Sequence, residues 1–120
     1  MDIIQTVERL VCIPSVSGDE QAVLREVCEL AKEFGWKIQQ IPVEKDRYNI
    51  FISFCDAPRL VLTTHLDTVP ETSETRPFAL EKGRLYGRGS LDAKGIAACK
   101  LVAAKRLEQQ GVLDLSLIHI

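Results

Sequence analysis

Two short runs of this sequence combine residue types that can do chemistry. The first is Thr64-His65-Leu66-Asp67, an H-x-D pattern that follows the apolar run Leu60-Val61-Leu62. Residues two apart on an extended chain point the same way, so His65 and Asp67 can share one side of a strand end. An imidazole that ligates a metal through one nitrogen usually gives its other N–H to a carboxylate or carbonyl, which fixes its tautomer and direction. Asp67 is the carboxylate placed to do that. Taken alone, an H-x-D is more often a surface hydrogen-bonded pair. The second run is Gly87-Arg88-Gly89-Ser90-Leu91-Asp92-Ala93-Lys94-Gly95. Its glycines let the backbone turn sharply and approach a ligand. Asp92 falls at the mouth of the next helix, where its plainest reading is an N-cap. Phosphate chemistry fits poorly: Asp92 stands where a dinucleotide fingerprint wants its third glycine, and no P-loop pattern is present.

The elements around these runs must position them. Residues 3–12 carry Ile4, Val7 and Val11 at helical spacing, and Pro14 forbids continuation. Ser17-Gly18-Asp19-Glu20 fits a capping box that opens a second helix, with Val23, Val27, Leu30, Ala31 and Phe34 on one face and Gly35 to end it. Trp36–Ile41 reads as a strand stopping at Pro42, and Tyr48–Phe54 as another with Ile50, Ile52 and Phe54 on one face. Residues 44–47 suit the tight turn between them. Leu60–Thr64 has the pattern of a central strand covered on both faces. Phe78–Tyr86 reads as a small hairpin turning at Lys82-Gly83. A third helix follows, with Ile96, Cys99, Ala103 and Leu107 as its expected buried stripe and Gly111 beyond its end. Leu113–Ile120 reads as a last strand. Both chemical runs sit where an apolar element meets a loop, which is where α/β proteins place chemistry.

The 120 residues carry 15 Lys+Arg against 17 Asp+Glu, and 46% are hydrophobic. That describes one ordinary domain or part of a larger one. The net charge of −2 offers no broad attraction to phosphate backbones or anionic lipid, so neither nucleic acid nor membrane is an expected partner. No apolar run approaches the length of a membrane span, and the start lacks the basic opening of a secretion signal, so the expected location is cytoplasmic. Cys12, Cys28, Cys55 and Cys99 form no C-x-x-C pair and are expected as small buried apolar side chains.

Taken together, Thr64-His65-Leu66-Asp67-Thr68-Val69-Pro70, Arg76-Pro77-Phe78 and Leu85-Tyr86 leading into Gly87–Gly95 resemble the start of a cocatalytic metallopeptidase and deacylase family. That family includes acetylornithine deacetylase, succinyl-diaminopimelate desuccinylase, aminoacylase and glutamate carboxypeptidase. Ile13-Pro14-Ser15-Val16-Ser17-Gly18 is similar to its first loop, so the resemblance covers most of residues 1–112. It implies His65 as a terminal ligand of one metal ion, Asp67 as the catalytic-site carboxylate that orients it, and Asp92 as the bridge between two divalent ions, zinc first and cobalt second. One carboxylate can hold two cations about 3.5–4 Å apart. A cis peptide after Asp92 is implied as well. Arg88 and Lys94 are read as structural contacts.

The fold implied is α/β, a layered helix/sheet/helix sandwich, with residues 1–120 the incomplete amino-terminal part of a two-metal hydrolase catalytic domain. Residues 113–120 are either a cut core strand or a non-native tail. The activity implied is hydrolysis of the amide bond of an N-acyl amino acid or small peptide by a metal-activated water. The competing class is a catalytically silent metal-binding or interaction domain on the same scaffold. The family's Glu-Glu pair, which supplies a general base and a ligand, occurs nowhere in this sequence. Glu108 is read as a solvated helix residue, and His119 as incidental rather than the family's late histidine ligand. The chain alone is therefore expected to be inactive and to bind zinc weakly. The full-length protein is expected to form a homodimer through a second domain inserted further along.

Overall fold

The computed structural model describes residues 2–111 and the backbone of 115–119. The elements run α1 (Ile3–Val11), α2 (Gln21–Glu33), β1 (Lys37–Glu44), β2 (Arg47–Ser53), β3 (Leu60–Thr64), β4 (Ala79–Glu81), β5 (Arg84–Tyr86), α3 (Lys94–Gln109) and β6 (Leu115–His119). This is the mixed α/β organisation expected. The main sheet has the order β1-β2-β6-β3, and β4 and β5 form a separate hairpin.

One core joins the helices to the sheet. Val7 and Leu10 of α1, Val23, Val27, Leu30 and Ala31 of α2, and Ala97, Ala98, Leu101 and Ala104 of α3 close over Ile50 and Ile52. Tyr48, Ile50, Ile52 and Phe54 share this face, as the alternation predicts. Trp36 lies against Phe34 and Phe54, with ring centroids 5.0 and 5.3 Å away. Gly35 at φ +72° ends α2, and the hairpin turns at Lys82-Gly83 with φ of +49° and +77°, both as read from the sequence.

Several local expectations are corrected. β1 runs through Pro42 to Glu44, because it is the sheet's outer strand and a proline there breaks no ladder bond inside the sheet. β3 is not central: among the described strands it is the edge, parallel to β6, and Leu60 and Val61 are 52% and 45% exposed. The capping box does not form. Glu20 occupies the N-cap position of α2 without a side-chain cap bond, and its Oε1 instead accepts from Gly18 N and Arg47 Nη2, both at 2.8 Å. On α1, Thr6 and Leu10 replace Ile4 and Val11 in the buried set, because α1 touches both α2 and α3 and its contact face is turned accordingly.

The largest correction concerns α3. Its buried face is Gly95, Ala97, Ala98, Leu101, Val102 and Ala104, whereas Ile96, Cys99 and Ala103 are exposed. Small side chains let α1 and the sheet approach the α3 backbone closely, and dense contact outweighs the size of any one apolar group. Of the cysteines only Cys28 is buried; Cys12 and Cys99 are exposed and Cys55 is intermediate. Glu108 pairs with Lys105 on the helix surface at 2.9 Å, as a helix-face residue should. The side chains of 113–120, including Asp114 and His119, lie outside the described residues.

Leu10 has no exposed surface and sits where α1 meets the core. Truncating such a leucine removes transfer energy and leaves a cavity. Leu10→Ala should lower unfolding free energy by about 2–5 kcal/mol, read from urea unfolding followed by circular dichroism.

Candidate functional site

β3 ends at Thr64, and the extended chain beyond it alternates inward and outward. Leu66 and Thr68 turn in, with 1% and 6% exposure, and His65 and Asp67 turn out. The first loop straps this segment down. Ser15 Oγ donates to Leu66 O at 2.7 Å, Thr68 N donates to Ser15 O at 2.8 Å, and Ser17 N donates to Thr68 O at 3.1 Å, closing a parallel bridge between Val16 and Thr68.

The glycine-rich run brings Asp92 to the same place. Gly87, at φ +135°, lies so near Val11 that a Cβ would fall 2.6 Å from Val11 Cγ1, so only glycine passes there. Asp92 does not cap α3; Ala93 occupies the N-cap position and no side chain caps it. The Asp92–Ala93 peptide is cis. His65 Nε2 lies 3.0 Å from Asp92 Oδ1, while Nδ1 lies 3.0 Å from Asp67 Oδ1 and 3.1 Å from Asp67 O. The structure thus brings together all three residues singled out in the sequence, with a carboxylate at each imidazole nitrogen.

Partial burial disfavours the charged imidazole, but its hydrogen bonds to Asp67 and Asp92 outweigh that, and the His65 pKa is raised above its ordinary value. The Ser17 hydroxyl is the largest influence on Asp67, and with His65 it overcomes desolvation to hold that carboxyl below its ordinary value. Two cations read as structural are so placed. Arg88 donates from Nη2 to Thr75 Oγ1 at 2.8 Å. Lys94 is buried beneath the glycine run, donates to Ile13 O at 2.5 Å, and its pKa is pushed down by desolvation. A cleft of about 630 Å³ opens beside His65 and Asp92, walled by Thr75, Arg76, Tyr86 and Arg88, with the Arg76 guanidinium 3.6 Å above the centre of the Tyr86 ring.

The model of peptidase family M20/M25/M40 matches residues 61–120, the half of the sequence that carries both chemical runs. The chain belongs to that family. Among curated relatives, a probable carboxypeptidase of Aspergillus clavatus is 35% identical over 106 residues, covering 79% of this chain and 24% of the relative. Succinyl-diaminopimelate desuccinylase of Legionella pneumophila is 36% identical over 115 residues, covering 88% of this chain and 29% of the relative. This M20-family chain therefore spans roughly a quarter to a third of the curated relatives it matches. An M20-family metallo-carboxypeptidase from Sulfolobus solfataricus shares the fold with a TM-score of 0.82 at 22% identity, over 99% of this chain and 30% of that one. A Bacillus subtilis protein described as a dinuclear metal binding peptidase of the M20 family superposes with a TM-score of 0.70 at 18% identity, over 98% of this chain and 34% of that one. The resemblance drawn from the motifs agrees with the family whose model matches residues 61–120.

Sequence reading missed one member of this M20-family cluster. Ser17 Oγ donates to Asp67 Oδ2 at 2.5 Å. S-x-x-E spells a helix cap at this serine, and only its place within the first loop hints otherwise.

A histidine whose folded pKa is raised adds stability that is complete below its unfolded value of about 6.5 and is lost as pH rises through the folded value. In metal-free protein, the stability difference between wild type and His65→Asn should therefore shrink from pH 6 to pH 9. Paired urea unfolding curves at the two pH values measure it, and a difference that grows with pH would contradict the arrangement.

Proposed function

We propose that this chain supplies one side of the metal site of an amidohydrolase or peptidase that cleaves the amide bond of an N-acyl amino acid or small peptide. The observation that carries the reading is one exposed imidazole, His65, with Asp67 on Nδ1 and Asp92 on Nε2 at the end of a strand and beside a cleft. With Asp67 accepting the Nδ1 proton, Nε2 would be the nitrogen left to ligate an ion shared with Asp92. Two ligand atoms about 2.0–2.1 Å from a tetrahedral zinc stand about 3.3 Å apart. The 3.0 Å between His65 Nε2 and Asp92 Oδ1 is close to that spacing, and an imidazole nitrogen with a carboxylate oxygen is a donor set suited to zinc.

When bound, a pair of divalent ions polarises a carbonyl and acidifies a water. Asp92 is 77% exposed at its side chain, leaving its carboxylate open toward a second ion. The dinuclear description of the B. subtilis relative supports two ions for this chain as well. The named relatives divide between carboxypeptidases and a desuccinylase, and amide hydrolysis is the chemistry those two activities share. Among the described residues no group of three or more His, Cys, Asp or Glu could hold an ion. The remaining ligands and the general base must come from elsewhere in a complete enzyme.

Zinc titration of the chain by calorimetry tests the reading. Binding should be weaker than micromolar, should vanish in His65→Ala and in Asp92→Ala, and should weaken by about 10–100-fold in Asp67→Ala. No hydrolysis of N-acetyl amino acids or dipeptides is expected from the chain alone. Zinc heat unchanged by both ligand substitutions would overturn the reading of His65 and Asp92 as ligands, and turnover abolished by His65→Ala would show that the chain completes its own site.

A further inference from the structure

Resting on that reading of His65, we propose that Ser17 is a positioning residue, acting through Asp67 to set the orientation and tautomer of the His65 ring. Asp67 meets the imidazole with Oδ1 and the serine hydroxyl with Oδ2, so the two bonds fix both ends of one carboxylate. An O–H···O⁻ distance of 2.5 Å is that of a charge-assisted bond, about twice as strong as a neutral one. Without it the carboxylate of Asp67, partly exposed, is free to rotate about its own Cβ–Cγ bond and present Nδ1 with a poorer acceptor.

The serine is itself held from both sides. Its N–H is bonded to Thr68 O, the next residue's N–H is bonded to Glu20 Oε1 at 2.8 Å, and Glu20 is anchored by Arg47 of β2. At the start of the loop, Lys94 fastens Ile13 O. A hydroxyl on an exposed loop is thereby presented from a fixed backbone, on the far side of Asp67 from the histidine. Ser17 is exposed and its side chain fills no core space, so removing its oxygen changes the hydrogen bond with little effect on packing.

The test uses the 120-residue chain without metal, at a pH where the imidazole is neutral, and reads the His65 ring nitrogens by long-range ¹H–¹⁵N NMR. Wild type should show the Nδ1–H tautomer in excess, because Nδ1 faces two acceptors, Asp67 Oδ1 and Asp67 O, and Nε2 faces one, Asp92 Oδ1. Ser17→Ala should shift His65 toward a mixture of tautomers, and Ser17→Thr, which keeps the hydroxyl, should restore the wild-type pattern. A parallel zinc titration should show about tenfold weaker binding for Ser17→Ala, the low end of what losing a partner of a metal ligand does. Unchanged ring nitrogens in Ser17→Ala overturn the proposal, as does an equal change in Ser17→Thr, which would make the loop and not the hydroxyl responsible. If wild type fails to bind zinc, the metal reading of His65 fails, and the tautomer measurement still decides the role of Ser17.

Discussion

An imidazole has two nitrogens, and a ring bonded at only one of them can still swing about that bond. His65 has a carboxylate oxygen 3.0 Å from each nitrogen, Asp67 on one side and Asp92 on the other. The rest of the molecule is arranged around that double attachment. β3 delivers the histidine, the first loop pins the segment that carries Asp67, and the glycine run with α3 carries Asp92 across from a distant part of the sequence. None of these pieces reaches the site through its own side chains alone. Main-chain bonds of Ser15, Ser17 and Thr68 fix the strand end first, and the functional groups ride on that frame.

The frame shows how exposed groups can be well placed. Asp92 and His65 stand in solvent-accessible positions, where a single ion pair contributes little to stability. Their geometry is set instead by buried neighbours: Leu66 and Thr68 between and beside His65 and Asp67, and Ala93 and Lys94 directly after Asp92. Alternation does the work at the first position and the packing of a helix start does it at the second. An open cluster is held in place by the buried residues next to it in the chain.

What could be read from the sequence divides along physical lines. The hairpin at Lys82-Gly83, the end of α2 at Gly35 and the inward face of β2 were legible because turn chemistry and period-two alternation are local. His65, Asp67 and Asp92 were legible because their residue types and order are unusual together. The buried face of α3 was misread because size was taken as the measure of burial, whereas Gly95, Ala97, Ala98 and Ala104 are buried for the close approach they permit. Pro42 and Leu60–Thr64 were misread because edge or centre is a property of the whole sheet. Ser17 was misread because α2 starts at Gln21 with Glu20 at its N-cap, too far along for Ser17 to cap it, and the hydroxyl donates instead to a carboxylate 50 positions away.

Gly89 carries a constraint of another kind. It sits at φ +87°, and even a side chain tolerant of that backbone would place its Cβ 2.9 Å from Lys94 Cδ and 3.1 Å from Thr68 Cγ2. Thr68 follows the H-x-D run, while Gly89 and Lys94 both belong to the glycine run, so two separate stretches of the chain press on one another in space. They cannot drift independently over evolutionary time. A lineage that replaced the buried lysine with a shorter residue would open room above it, and one that enlarged position 68 would take that room away. Substitutions at these three positions should therefore appear as correlated sets among descendants of a common ancestor, linking motifs that a linear reading treats as separate.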